Sequence, residues 1–233
     1  MRLLHQKLAK KKLKEDQLKR KEERKEIVYI LRKYKWLVPR SMPTSLFLEI
    51  VKTAKLKGNH RAKINKLFIE YFSYKNFETL LNLVEKWRAN PLFRHRMKIF
   101  HDCVAVLRDT PRNFNPSNVI LPTLITQVDG ILSDFARQFG IRTKRKDKRK
   151  WDEDFRNISN YDKDDESLGL GNDVLLDILF QTAYPEQLLK TPFSFNRHKI
   201  LHGEFTKYGR LDNTLRAFLI LDFLHLASTK GKT

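Results

Sequence analysis

Val119-Ile120-Leu121-Pro122-Thr123-Leu124-Ile125-Thr126-Gln127-Val128-Asp129-Gly130-Ile131-Leu132-Ser133-Asp134-Phe135-Ala136-Arg137-Gln138-Phe139-Gly140 is a long run with the apolar pattern of a helix. Leu121, Leu124, Ile125, Val128, Ile131, Leu132 and Phe135 recur at intervals of three and four, the spacing of one helix face. Gly140 stands where a helix closes on a left-handed residue. Pro122 either bends this helix or marks its true first turn.

The same period holds on both sides. Ile27–Trp36 reads as helical and stops near Pro39; Pro43-Thr44 opens a helix over Ser45–Lys57 that Gly58-Asn59 closes. Ile64, Leu67, Phe68, Tyr71 and Phe72 predict a helix over Arg61–Ser73, and Asn76 can cap the next, with Phe77, Leu80, Leu81, Leu83 and Val84 apolar. Asn90-Pro91 is a cap followed by proline at the first helical position, opening Pro91–Arg108. Asn172–Tyr184 and Asn196–His202 read as helices, and Asp212 caps a last one over Asn213–Ser228. No strand-like alternation is sustained, so the expected fold is all-α. Phe47, Ile50, Phe68, Tyr71 and Leu80 read first as ordinary core, and as a partner-docking face only second.

Composition narrows the function classes. The 233 residues hold 47 Lys and Arg against 27 Asp and Glu, a net charge of +20, which points to a polyanionic partner. The charge is uneven: residues 1–26 carry +6, residues 27–109 carry +11 and residues 110–233 only +3. Leu4–Glu26 reads as a charged helix with a thin apolar stripe, either solvated or touching RNA. Arg142–Lys150 is basic and Asp152–Glu166 largely acidic, inside a charged connection at 141–170. The expected organisation is a basic helical extension over 1–40, a helical region over 41–90, a bundle over 91–228 and a tail over 229–233.

One cysteine, Cys103 in an apolar helical pattern, excludes disulfide scaffolds and zinc ribbons and reads as a plain buried thiol. The seven histidines are dispersed and no phosphate-cradling loop is present, so no cofactor or metal is expected; Asp162–Glu166 reads as a solvated run rather than a cation site. No apolar run reaches the length of a membrane span, and the basic N-terminus lacks a signal-peptide core. A cytoplasmic protein with no membrane partner is the expectation.

The chemistry concentrates in Phe193-Ser194-Phe195-Asn196-Arg197-His198-Lys199-Ile200-Leu201-His202-Gly203. Arg197 offers a planar, permanently charged fork for phosphate oxygens. Histidine is the side chain suited to moving protons near neutral pH, which makes His202 the candidate acid or base. Five positions on a helix turn through roughly 140°, so Arg197 and His202 share a face only if Arg197 sits at the helix start and curls inward. His198 and His202, one turn apart, face the same way more readily. From spacing alone a catalytic role and a capping or surface role both stay open.

Asn196-Arg197-His198-Lys199-Ile200-Leu201-His202-Gly203 resembles the Arg-x-x-x-x-His signature of HEPN domains, as found in bacterial and archaeal defence proteins. Tyr208-Gly209, Asn213, Leu215 and Arg216 with the leucine-rich stretch after them are similar to the region that follows the motif. Ile120–Ile131 resembles the family's proline- and leucine-containing helix with Gln-x-acid-Gly, where Asp129 stands in place of the expected glutamate. The resemblance covers about residues 91–228 and leaves 1–90 uncovered.

The resemblance implies an up-down helical bundle that dimerises, with the motif helices meeting near the two-fold to form a composite cleft. It implies a metal-independent endoribonuclease of toxin–antitoxin, abortive-infection or other anti-phage defence, acting on RNA. Arg197 and His202 map onto the motif pair, His198 onto the position after the arginine and Asn196 onto the one before it; Asp129 is left out of the catalytic set. His202 would move the proton of the 2′-OH or of the leaving 5′-oxygen, and Arg197 would hold the scissile phosphate. The competing expectations are a non-catalytic HEPN module, a basic RNA-binding adaptor worked by residues 1–109, and a module bound to an antitoxin or other defence partner.

Overall fold

The structure, a computed structural model, describes residues 12, 22, 26, 28–31, 33–39, 41–138, 140 and 197–229, apart from the side chain of residue 198. Among these residues the chain is all-α, with helices joined by turns and no strand. The expectations for most of the Leu4–Glu26 arm, for the connection at 141–170, for the helix at 172–184, for Asn196 and for most of the tail at 229–233 lie outside the described residues.

In chain order the elements are α1 (Thr44–Ala54), α2 (Arg61–Glu85), a 3₁₀ turn (Lys86–Ala89), α3 (Pro91–Arg94), α4 (Met97–Asp109), α5 (Ser117–Gln138), α6 (Arg197–Leu201) and α7 (Leu211–Thr229). Residues 28–31 and 33–34, which precede them, are helical, and Lys35 follows with φ of 56°. Pro43 precedes α1 in extended conformation, but the helix ends at Ala54, short of the expected Lys57.

The break expected between Ser73 and Asn76 is present inside α2. Tyr74 is extended, and Lys75, Asn76 and Phe77 follow with φ of 46°, 53° and 63°. Three successive left-handed residues without a glycine cost free energy at each position. They persist because the apolar residues on both sides are buried: Phe68 and Phe72 before the break, Leu80, Leu83 and Val84 after it. Asn76 is itself left-handed, not a conventional cap.

Asn90 caps α3 as its sequence implies, its side chain accepting from the Leu92 N–H at 3.0 Å. The expected single helix Pro91–Arg108 is instead two, parted at His95 and Arg96. Cys103 is buried in α4, and burial, aided by Asp102, pushes its thiol up to about 12.

α7 is the central element. Its described side chains from Asp212 to His225 are buried all round, as befits a helix apolar on every face. It packs most extensively on α5 and next on α2. Its polar residues are met by partners from the first 90 residues. Trp87 Nε1–H donates to Asp222 at 3.0 Å, and Asn90 Nδ2 donates to Ser228 Oγ at 2.7 Å. Trp36 stacks on Phe68 with centroids 4.1 Å apart, and its other face receives the Arg216 guanidinium, also 4.1 Å away. The core is therefore continuous across residue 90, running from Val28 to Ala227.

α5 is long and apolar enough, by length and composition, to cross a membrane. In the fold its apolar residues, from Ile120 to Phe135, are buried in the shared core.

Candidate functional site

α6 starts at Arg197 and is over by Leu201, because Gly203 takes φ of 74° and turns the chain back. The Gly203 N–H bonds the Ile200 carbonyl at 3.2 Å, and the Phe205 N–H bonds that of Lys199 at 3.1 Å. Ile200 and Phe205 are buried and anchor this short element to the core, while Leu201 stays 42% exposed.

Arg197 turns toward α5. Its Nη2 donates to Asp129 Oδ2 at 3.0 Å, and both side chains are about three-quarters buried. Its Nε is shut off from water with no hydrogen-bond acceptor. His202 lies one residue beyond the helix end and is exposed. Arg197 thus turns inward onto α5, whereas His202 is exposed beyond the end of α6. The side chain of His198 and all of Asn196 fall outside the described residues.

Asp129 was expected to be only a substituted family position; it is the residue that holds Arg197. One turn further along, Asp134 takes Arg96 at 2.7 Å, and the Arg96 Nη1 also donates to the Leu92 carbonyl. Gly130 between them has a structural reason: a Cβ there would lie 3.2 Å from the Arg96 Nη2. α5 therefore presents two carboxylates to two arginines from different parts of the chain.

The segment after the motif is fixed to the other end of α5. Pro122 lies inside α5, so the expectation of a first-turn proline gives way to an interior one. A proline there has no N–H for the carbonyl four residues back. That carbonyl, of Asn118, accepts instead from the Tyr208 hydroxyl at 3.2 Å. The neighbouring Asn115 Nδ2 donates to the Gly209 carbonyl at 2.6 Å. A Cβ on Gly209 would fall 1.6 Å from Asn118 Oδ1, so this crossing admits glycine alone unless Asn118 moves.

Asp212, expected as a cap, lies within the first turn of α7 and serves as a buried counter-ion. It accepts from Arg216 Nη1 at 2.7 Å, from Asn65 Nδ2 at 2.9 Å, and from Arg210 through two nitrogens at 2.9 and 3.0 Å. Burial alone would raise its carboxyl; the charge and hydrogen bonds of Arg216, with those of Arg210, outweigh burial and hold it below the ordinary aspartate value. Arg216 is pushed down to about 10 by its burial, in spite of Asp212. The sequence could not reveal this pair as buried, because Asp, Asn and Arg in a leucine-rich helix also fit an exposed stripe.

Among the described residues no group of three His, Cys, Asp or Glu side chains is placed to hold a metal ion. No family model matches the chain, no curated protein is found similar to it, and no solved structure matches its fold.

Proposed function

We propose that the chain is an endoribonuclease of the HEPN type, cleaving RNA at Arg197 and His202. The observation that carries the reading is the Arg197–Asp129 ion pair: the motif arginine is partly withdrawn from solvent and held on the acidic position of the helix that resembles the family's own. A guanidinium so held is oriented before substrate arrives, which lowers the cost of gripping a phosphate.

The chemistry is a transesterification. The ribose 2′-oxygen forms a bond to phosphorus as the bond from phosphorus to the 5′-oxygen breaks. The 2′-OH proton leaves to a base, and an acid protonates the departing oxygen, leaving a 2′,3′-cyclic phosphate and a 5′-OH. His202 is exposed to substrate and supplies one of these proton transfers. A second copy of the chain supplies the other imidazole in a composite cleft, with the exposed Leu201 beside His202 available for contact between copies. The reaction as drawn needs no metal. The biological setting proposed is defence or toxin–antitoxin control, with a neutralising partner protein.

A second reading is favoured by the same ion pair. Arg197 committed to Asp129 also serves as a latch that fastens α6 to α5 in a non-catalytic RNA-binding or adaptor module. His202→Ala separates the two: it removes cleavage in the first reading and leaves RNA binding and folding intact in both. Deletion of residues 1–90 is not a usable test of the adaptor reading, since Trp36, Asn65 and Trp87 are bonded into α7.

A further inference from the structure

The N-terminal turns of α2 and α7 meet around a single carboxylate that is surrounded by an excess of cations. Asp212 has both oxygens occupied, by Arg210, Arg216 and Asn65. Arg216 is fully buried and also donates to Asn65 Oδ1 at 2.9 Å. Arg61 lies one helical turn before Asn65 on the same face of α2, which brings it over this cluster. Its positive charge is felt by Arg216, whose proton affinity it lowers, as does that of Arg210. Arg61 Nε is shielded from water with no hydrogen-bond acceptor.

Three guanidiniums thus stand around one carboxylate, whose Oδ2 already accepts from Arg210, Arg216 and Asn65 and whose Oδ1 accepts from Arg210. Against the single charge of Asp212 the three arginines leave two positive charges in excess, and an oxyanion with several acceptor atoms is the group that complements them and meets the Arg61 Nε. Arg210 is 56% exposed at its side chain, so the cluster opens to solvent on that side. Arginine forks match phosphate geometry better than lysine does.

We propose that Arg61 and Arg210, set beside the buried Asp212–Arg216 pair, form a binding site for a phosphate group, carried by an RNA backbone or by a small phosphorylated molecule. The site is built by residues other than Arg197 and His202 and does not depend on the cleavage reading. Its role for RNA would be to anchor the strand away from the scissile bond.

The test uses the full chain with two probes at matched ionic strength: inorganic pyrophosphate, read by the rise in Tm, and a 2′-O-methyl RNA 12-mer, read by fluorescence anisotropy. The variants are Arg61→Gln, Arg61→Lys and, as a control, Lys98→Gln, whose side chain is 86% exposed on α4. Arg61 is half-buried at a helix start, so Arg61→Gln is expected to fold, checked by its Tm in chloride alone. The expected result is about a tenfold loss of affinity for at least one probe in Arg61→Gln, a smaller loss in Arg61→Lys and none in Lys98→Gln. A loss for pyrophosphate identifies a small phosphorylated ligand as sufficient; a loss confined to the 12-mer identifies the RNA backbone. Equal affinity of wild type and Arg61→Gln for both probes, or no binding of either by wild type, overturns the proposal.

Discussion

Arg197 Nη2 lies 3.0 Å from Asp129 Oδ2, joining the first residue of α6 to the middle of α5 across 68 positions of sequence. Each side chain keeps part of its surface in solvent, so the pair contributes modestly to stability. Its larger consequence is orientation, because without Asp129 the guanidinium is free to take other rotamers.

Asp129→Asn is accordingly expected to cost only about 1 kcal/mol in a urea titration. On the proposed function it lowers RNA cleavage by about tenfold or more, since the charge that fixes Arg197 is gone. Asp129→Glu, which keeps the charge, retains most of the activity. Equal cleavage rates for wild type and Asp129→Asn would assign the pair to packing alone.

Gly209→Ala is expected to destabilise the fold, because its Cβ would fall 1.6 Å from Asn118 Oδ1. The clashing atom belongs to a side chain, so the remedy is specific. Asn118→Ala introduced in the same chain restores most of the lost denaturant midpoint. Failure of the second substitution to rescue the first would show that the backbone at Gly209 demands glycine for another reason.

His225 gives the fold an acid sensitivity with a defined window. Burial lowers its pKa from 6.5 to about 4 in the folded chain. The unfolded chain therefore binds the extra proton first, and stability falls as pH drops from about 6.5 toward 4. Denaturant midpoints measured across this range should decline in wild type, and the decline should be shallower in His225→Gln.

Lys75→Gly is expected to stabilise the chain by about 0.5 kcal/mol or more, because a left-handed φ costs a lysine energy that glycine does not incur. Lys75 is exposed, so little packing is lost. A lower midpoint for Lys75→Gly would show that the turn inside α2 is not left-handed at this residue.

The sequence was most legible where one helix face and one punctuation residue coincided. Asn90-Pro91 and Gly140 bound helices as their chemistry requires, and the apolar rows of α2 and α5 are the buried ones. It was least legible where long-range pairing decides. Asp129, Asp212 and Asn65 are unremarkable in sequence, yet each meets an arginine from a distant or newly folded turn. Periodicity also joined α3 to α4, because apolar spacing carries across His95 and Arg96 without a proline or glycine to mark the break. At the candidate site, the spacing told that Arg197 must begin the helix to turn inward, but not what it would turn toward.

On the proposed function, His202 moves a proton in RNA cleavage at a phosphate gripped by Arg197. The most direct measurement is the rate of cleavage of a mixed-sequence RNA in EDTA by wild type and by His202→Ala, with the product ends identified. Wild type is expected to leave 2′,3′-cyclic phosphate and 5′-hydroxyl ends, and His202→Ala to cleave about 100-fold or more slowly. Equal rates for the two proteins, or intact RNA with folded wild type, would contradict it.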